Sequence, residues 1–135
     1  MLLTELDGGG YHLFLSIKVN GKRARFLIDT GASKSVIDKG FYEKYLANKK
    51  ALKTIKRETA GLHSSVPESH FGTIKELEIG KLKVKNYAVA AVDLSHVNAT
   101  YAKLKKPKIQ GILGSDLMLK HKMILDYGTG TLYIP

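Results

Sequence analysis

The chain has 135 residues, no cysteine, and a formal charge of +10 from 22 Lys and Arg against 12 Asp and Glu. That length suits one domain with a core of its own, and the lack of cysteine excludes disulfides, thiolate nucleophiles and cysteine-ligated metals. No run of about 18 apolar residues and no basic-then-apolar leader is readable, so neither a membrane span nor a signal peptide is expected, and the cytoplasm is the expected compartment.

Residues 1–11 read as a flexible leader or an N-terminal strand, and residues 12–135 as the domain proper. The stretch YHLFLSIKVNGKRARFLID alternates about Asn20-Gly21, with Leu13, Leu15, Ile17 and Val19 on one side and His12, Ser16 and Lys18 on the other. Asn-Gly readily takes the two positive φ angles of a type I′ turn, so this is a β-hairpin. DKGFYEKYLANK (38–49) is a helix candidate weakened by Gly40. FGTIKELEIGKLKVKNYAVAAVDL (71–94) repeats the hairpin pattern, with Ile74, Leu77, Ile79, Leu82, Val84, Tyr87, Val89 and Val92 as its apolar positions and a turn at Gly80. IQGILG (109–114) is a short apolar run. In the following SDLMLKHK, Ser115 is placed to cap a short helix with Asp116 in its first turn. MILDYGTGTLYIP (123–135) supplies a last strand pair turning at Gly128-Thr129-Gly130. The fold class expected is all-β, one domain, with one or two short helices.

The positive charge is concentrated in 44–57 and 101–108. Such stretches attract polyanions over distances set by salt, but their ordinary role is a solvated surface. Nucleic acid is not an expected partner, because the lysines are not interleaved with an RNP-like aromatic pattern and no finger spacing accompanies them. The five histidines, His12, His63, His70, His96 and His121, form no HExxH, so no metal site and no cofactor is expected. There is no G-x-S-x-G elbow for a serine nucleophile, and the glycines at 8–10 lack the spacing of a phosphate loop.

One stretch resists a purely structural reading. FLIDTGAS (26–33) ends an apolar strand on Asp29, and an ionised carboxylate there is costly unless amides hydrogen-bond it or another acid shares its proton. Taken alone, Asp29 could simply cap its own turn. Some eighty residues on, GILGSDLM (111–118) supplies a second element.

In that order and spacing the two stretches resemble the retropepsin family of aspartic proteases, over roughly residues 12–135. The resemblance implies a single-domain closed β-barrel of the acid protease fold. It implies that Asp29 is catalytic, that Thr30, Gly31 and Ala32 with Ile112, Leu113 and Gly114 support the active-site loop, and that Ser33 meets the substrate backbone. A flap falls in RETAGLHSSVPESHFG (57–72), where Gly61, Leu62, His63 and Ser64 would face substrate, although the multi-glycine tip of many retroviral flaps is missing.

Two carboxylates about 3 Å apart cannot both ionise, so one of the pair activates a water while the other donates to the scissile carbonyl. Asp-Thr-Gly occurs once here, so an active enzyme of this type has to be a homodimer acting on a polypeptide substrate. The +10 charge on each subunit opposes pairing at low salt. Asp116 and Asp126 lack a following Thr-Gly and read as a helix-start and a turn residue. The alternative is a catalytically silent module of the same fold that binds peptides or polyanions.

Overall fold

The computed structural model describes residues 2–5, 10–46, 53–54 and 70–135. Strands β1 (Leu2–Glu5), β2 (Tyr11–Val19), β3 (Lys22–Ile28) and β4 (Val36–Asp38) lead into helix α1 (Lys39–Tyr45). β5 (Lys53–Thr54), β6 (His70–Ile79) and β7 (Leu82–Val92) precede helix α2 (Ser95–Lys103). β8 (Gly111–Leu113), helix α3 (Ser115–Lys120), β9 (Ile124–Asp126) and β10 (Thr131–Tyr133) complete the chain.

Two hairpins form the frame. β2 and β3 pair antiparallel from Leu13 opposite Ile28 to Val19 opposite Lys22, and the two residues between them, Asn20 and Gly21, have φ of 50° and 80°. Both angles are left-handed, as a type I′ turn requires, and its twist matches that of the strands it joins. β6 and β7 pair from His70 opposite Ala91 to Ile79 opposite Leu82, with the left-handed Gly80 as the first turn residue. β8 then runs parallel to β3 and antiparallel to β4, β4 runs parallel to β7, and β6 returns to β2 through Lys18–Glu78 and Val19–Leu77. The circuit β2-β3-β8-β4-β7-β6 therefore closes into a six-stranded barrel without free edges, with β1 laid beside β2 and β5 beside β6.

Alternation fills the interior. Leu13, Ile17 and Val19 of β2 and Ala24, Phe26 and Ile28 of β3 meet Ile37, Ile74, Leu77, Ile79, Val89 and Leu113 in one core. Tyr42 of α1 joins it, and Asp38 fixes that helix by accepting from the Phe41 amide through Oδ2 at 3.1 Å and from the Leu94 amide through Oδ1 at 3.0 Å. β9 and β10 form a separate two-stranded sheet at the end of the chain, and Met123, Leu125, Leu132 and Ile134 pack its inner side against the same core.

Three expectations need correction. The described helices number three, because α2 was not anticipated. The residue preceding α3 at its N-terminus is Gly114, with Ser115 already inside the helix and making no side-chain cap. The side of β2 assigned to His12, Ser16 and Lys18 also carries Phe14, left out of that reading, and Phe14 is 1% exposed. It lies in a second apolar cluster with Leu94, Tyr101 and Ile109, flanked by Leu27, Val36, Val97 and Ile112. Helix α2 is the lid of that cluster, and Asn98 ties it down by donating to the Ile109 carbonyl at 3.0 Å and accepting from the Ile109 amide at 2.8 Å.

Candidate functional site

β3 delivers Asp29 to the end of the barrel, and its ladder with β8 continues one step beyond the strand. The Asp29 amide donates to the Leu113 carbonyl at 3.0 Å. The chain then turns, with the Ala32 amide donating to the Asp29 carbonyl at 3.1 Å and the Gly31 amide donating to Asp29 Oδ1 at 3.0 Å. One carboxylate oxygen is thus held by the backbone, as a turn rich in small residues allows.

The turn is sewn to the segment after β8. Ser115 donates its amide to the Ala32 carbonyl at 2.7 Å, and Gly114 donates its amide to Ser35 Oγ at 2.8 Å. The Ser35 hydroxyl and amide both donate to Asp116 Oδ1, at 2.7 and 2.9 Å, while the Tyr87 hydroxyl donates to Asp116 Oδ2 at 2.6 Å. Ser35 is 3% exposed, so these bonds satisfy polar groups that water does not reach. Burial alone would raise the Asp116 carboxyl, but the hydrogen bonds from Tyr87 and Ser35 outweigh it and hold the group below the ordinary carboxylate range. Burial and the same contact with Asp116 push the Tyr87 hydroxyl well above its ordinary value. A Cβ on Gly114 would stand 2.7 Å from the Ala32 carbonyl oxygen and 2.8 Å from the Lys34 carbonyl carbon, both backbone atoms. Only glycine permits the two loops to approach this closely.

The residues singled out in the sequence fall as follows. Asp29 and Ala32 are half-buried, while Thr30, Gly31 and Ser33 are exposed, and among the described residues the Thr30 side chain makes no hydrogen bond. Leu113 and Gly114 are buried beside the turn, and Ile112 leans instead on the Phe14–Tyr101 cluster. Gly61, Leu62, His63 and Ser64 lie outside the described residues, as does most of the expected flap at 57–72. Ser35, Tyr87 and the bracing role of Asp116 were missed. Only the proximity of Ser35 and Asp116 to the two motifs hints at them, while Tyr87 reads in the sequence as one of the apolar set of its strand. Asp126 accepts from the Thr129 amide at 3.2 Å, a turn contact. Among the described residues no group of three His, Cys, Asp or Glu is placed to hold a metal, and no helix is long and apolar enough to cross a membrane.

The family model for aspartyl proteases matches residues 15–117, most of the chain and both loops of this site. The chain belongs to the aspartyl protease family. Solved structures place this family member among retropepsin-like folds. It is similar to the retroviral protease-like domain of Ddi1 from Leishmania major, with a TM-score of 0.60 and 17% identity over 91% of this chain and 87% of that one. A retropepsin-like aspartic protease from Rickettsia conorii is similar with a TM-score of 0.59 and 21% identity, covering 94% and 83%. EIAV protease, solved with the inhibitor HBY-793, is similar with a TM-score of 0.52 and 15% identity, covering 87% and 93%. No curated protein matches the chain.

Beside the Asp29 turn, the β2–β3 register places His12 level with Asp29, one step beyond Leu13 and Ile28. His12 Nδ1 and the Tyr101 hydroxyl share a 2.8 Å hydrogen bond, and the two rings meet edge to face at 5.8 Å. Burial raises the Tyr101 hydroxyl above its ordinary value, and among nearby charges Arg25 acts to lower it and Asp29 to raise it. Asp29, Arg25, His12 and Tyr101 thus share one electrostatic neighbourhood on the outer side of the barrel.

Proposed function

We propose that this chain is an aspartic endopeptidase that works as a homodimer, with Asp29 of each subunit brought together across a two-fold axis. The observation that carries the reading is the Asp29 turn itself. The carboxylate is fixed by the Gly31 amide on a loop locked to Gly114, Ser115 and Asp116, so its position is set before any ligand arrives.

In the dimer the paired carboxylates share one proton. The ionised member takes a proton from a water between them. The protonated member donates to the scissile carbonyl oxygen and stabilises the charge developing there. Among the described residues neither Asp116 nor Asp126 is free to be the second carboxylate, because both oxygens of Asp116 are committed to Ser35 and Tyr87 and Asp126 serves its own turn. Thr30 and Ser33 are exposed on the turn, and in this reading Thr30 meets the partner loop and Ser33 the substrate backbone.

Cleavage of a mixed peptide library by the wild type and by Asp29→Asn tests this reading. Proteolysis confined to the wild type supports it. Equal cleavage by both proteins would remove Asp29 from the catalytic role, and none by a wild type shown to be folded and dimeric would turn the assignment toward the silent binding module.

A further inference from the structure

The outward face of β3 carries a cation that the Asp29 loop does not use. Ala24, Phe26 and Ile28 point into the barrel, so Arg25, Leu27 and Asp29 share the other side. Across from them the register sets Ser16 opposite Arg25 and Phe14 opposite Leu27. The Arg25 guanidinium carbon lies 4.0 Å from the Phe14 ring centroid, so the charge leans along the strand toward the Asp29 end.

A purely structural arginine in a half-buried setting is normally paired off. This one is not. Its Nε is buried without a hydrogen-bond partner, and the ion pairs among the described residues, Lys39–Glu43 and Lys85–Glu76, do not involve it. Burial lowers its pKa from the ordinary value, with Tyr101 acting the other way, but a guanidinium stays charged throughout the working range. What results is a partly desolvated cation over an aromatic ring, with donors to spare in a fixed fork geometry. That geometry suits a carboxylate.

Spacing decides where such a carboxylate would sit. Four residues of strand separate Arg25 from Asp29, about 13 Å, and the lean onto Phe14 shortens that to on the order of 10 Å. An extended peptide spans this in about three residues. We propose that Arg25, stacked on Phe14 beside the His12–Tyr101 pair, receives an acidic side chain of the bound polypeptide, about three residues from the bond held at Asp29. This rests on the reading of Asp29 as the point of cleavage. The +10 charge of the chain draws acidic polypeptides from a distance, and Arg25 adds a preference at one position.

The test scans Glu against Gln through each position of a cleaved peptide and measures the ratio of kcat/KM within each pair. In the wild type one position favours Glu by about tenfold. In Arg25→Gln that ratio falls to near one, in Arg25→Lys most of it returns, and in Arg25→Glu a Lys-for-Gln peptide becomes the better substrate at the same position. A ratio that is flat in the wild type, or that survives in Arg25→Gln, overturns the proposal. Equal losses for both peptides would mark Arg25 as a packing residue and overturn it as well. Binding of the same fluorescent Glu and Gln peptides to the wild type separates this proposal from the reading beneath it. An Arg25-dependent preference in binding without cleavage sinks the protease and keeps the acidic site, whereas no preference in binding or cleavage sinks the site.

Discussion

Along β3, alternate residues serve two ends. Ala24, Phe26 and Ile28 face inward at 2%, 3% and 6% exposure, and Phe26 lies so close on Gly111 of β8 that a Cβ there would strike the ring. Arg25 and Leu27, with Asp29 just past the strand, face outward and half-buried, and carry a cation with no ion pair among the described residues and a carboxylate. The inward set contributes stability through burial. The outward set leaves charged groups poorly compensated, a cost that a fold tolerates where those groups act on something else. On the proposed reading function and stability separate by a step of one residue, and substitutions along the strand should divide in the same way.

The largest effect is expected at Asp29. Asp29→Asn should lower peptide cleavage by about 10²–10⁴-fold, the usual worth of a general acid–base group, while the thermal midpoint stays in place. Phe26→Ala, three residues earlier, should do the reverse, costing about 3–5 kcal/mol in urea unfolding with catalysis retained by the fraction still folded.

Asp116→Ala tests the brace between the two loops and should cost about 2–3 kcal/mol, because the buried Ser35 groups lose their partner. Its pH dependence has a definite sign. The folded carboxyl lies below its unfolded value of about 3.9, so the contribution is present above that pH and is lost as pH falls through the folded value. The gap between wild type and variant should therefore be wide at neutral pH and narrow in acid.

Smallest is the stability effect of Arg25→Gln, expected to be under about 1 kcal/mol from the lost contact with Phe14. A cost as large as that of Phe26→Ala would break the division between the faces.

Much of the frame was legible because it rests on local chemistry. Asn20-Gly21 demands left-handed φ, Gly80 does the same for the second hairpin, and the apolar set Leu13, Leu15, Ile17 and Val19 at every second position fixes which side faces in. The terminal pair turning at 128–130 is local in the same sense. What escaped depends on distant partners. Helix α2 has a poor intrinsic preference, with Val97, Asn98 and Thr100 in its body, and it forms because Tyr101 and Asn98 find Phe14 and Ile109. Without α2, Phe14 had no reason to be buried on a face otherwise lined by His12, Ser16 and Lys18. Ser115 looked like a cap because Ser-Asp precedes an apolar run, but Gly114 starts the helix so that the Ser115 amide can reach Ala32. At the site, the Asp-Thr-Gly and Ile-Leu-Gly stretches were readable, whereas the Ser35–Asp116–Tyr87 brace joins residues up to 81 apart and has no local signature.

The central claim is that catalysis needs Asp29 from two chains. The most direct measurement mixes wild type with increasing amounts of Asp29→Asn, refolded together so that subunits exchange, and follows peptide cleavage per wild-type chain. The account predicts that activity per wild-type chain falls steadily as mixed dimers replace wild-type pairs. Activity that stays proportional to the wild-type chain alone, however much of the variant is present, would contradict it.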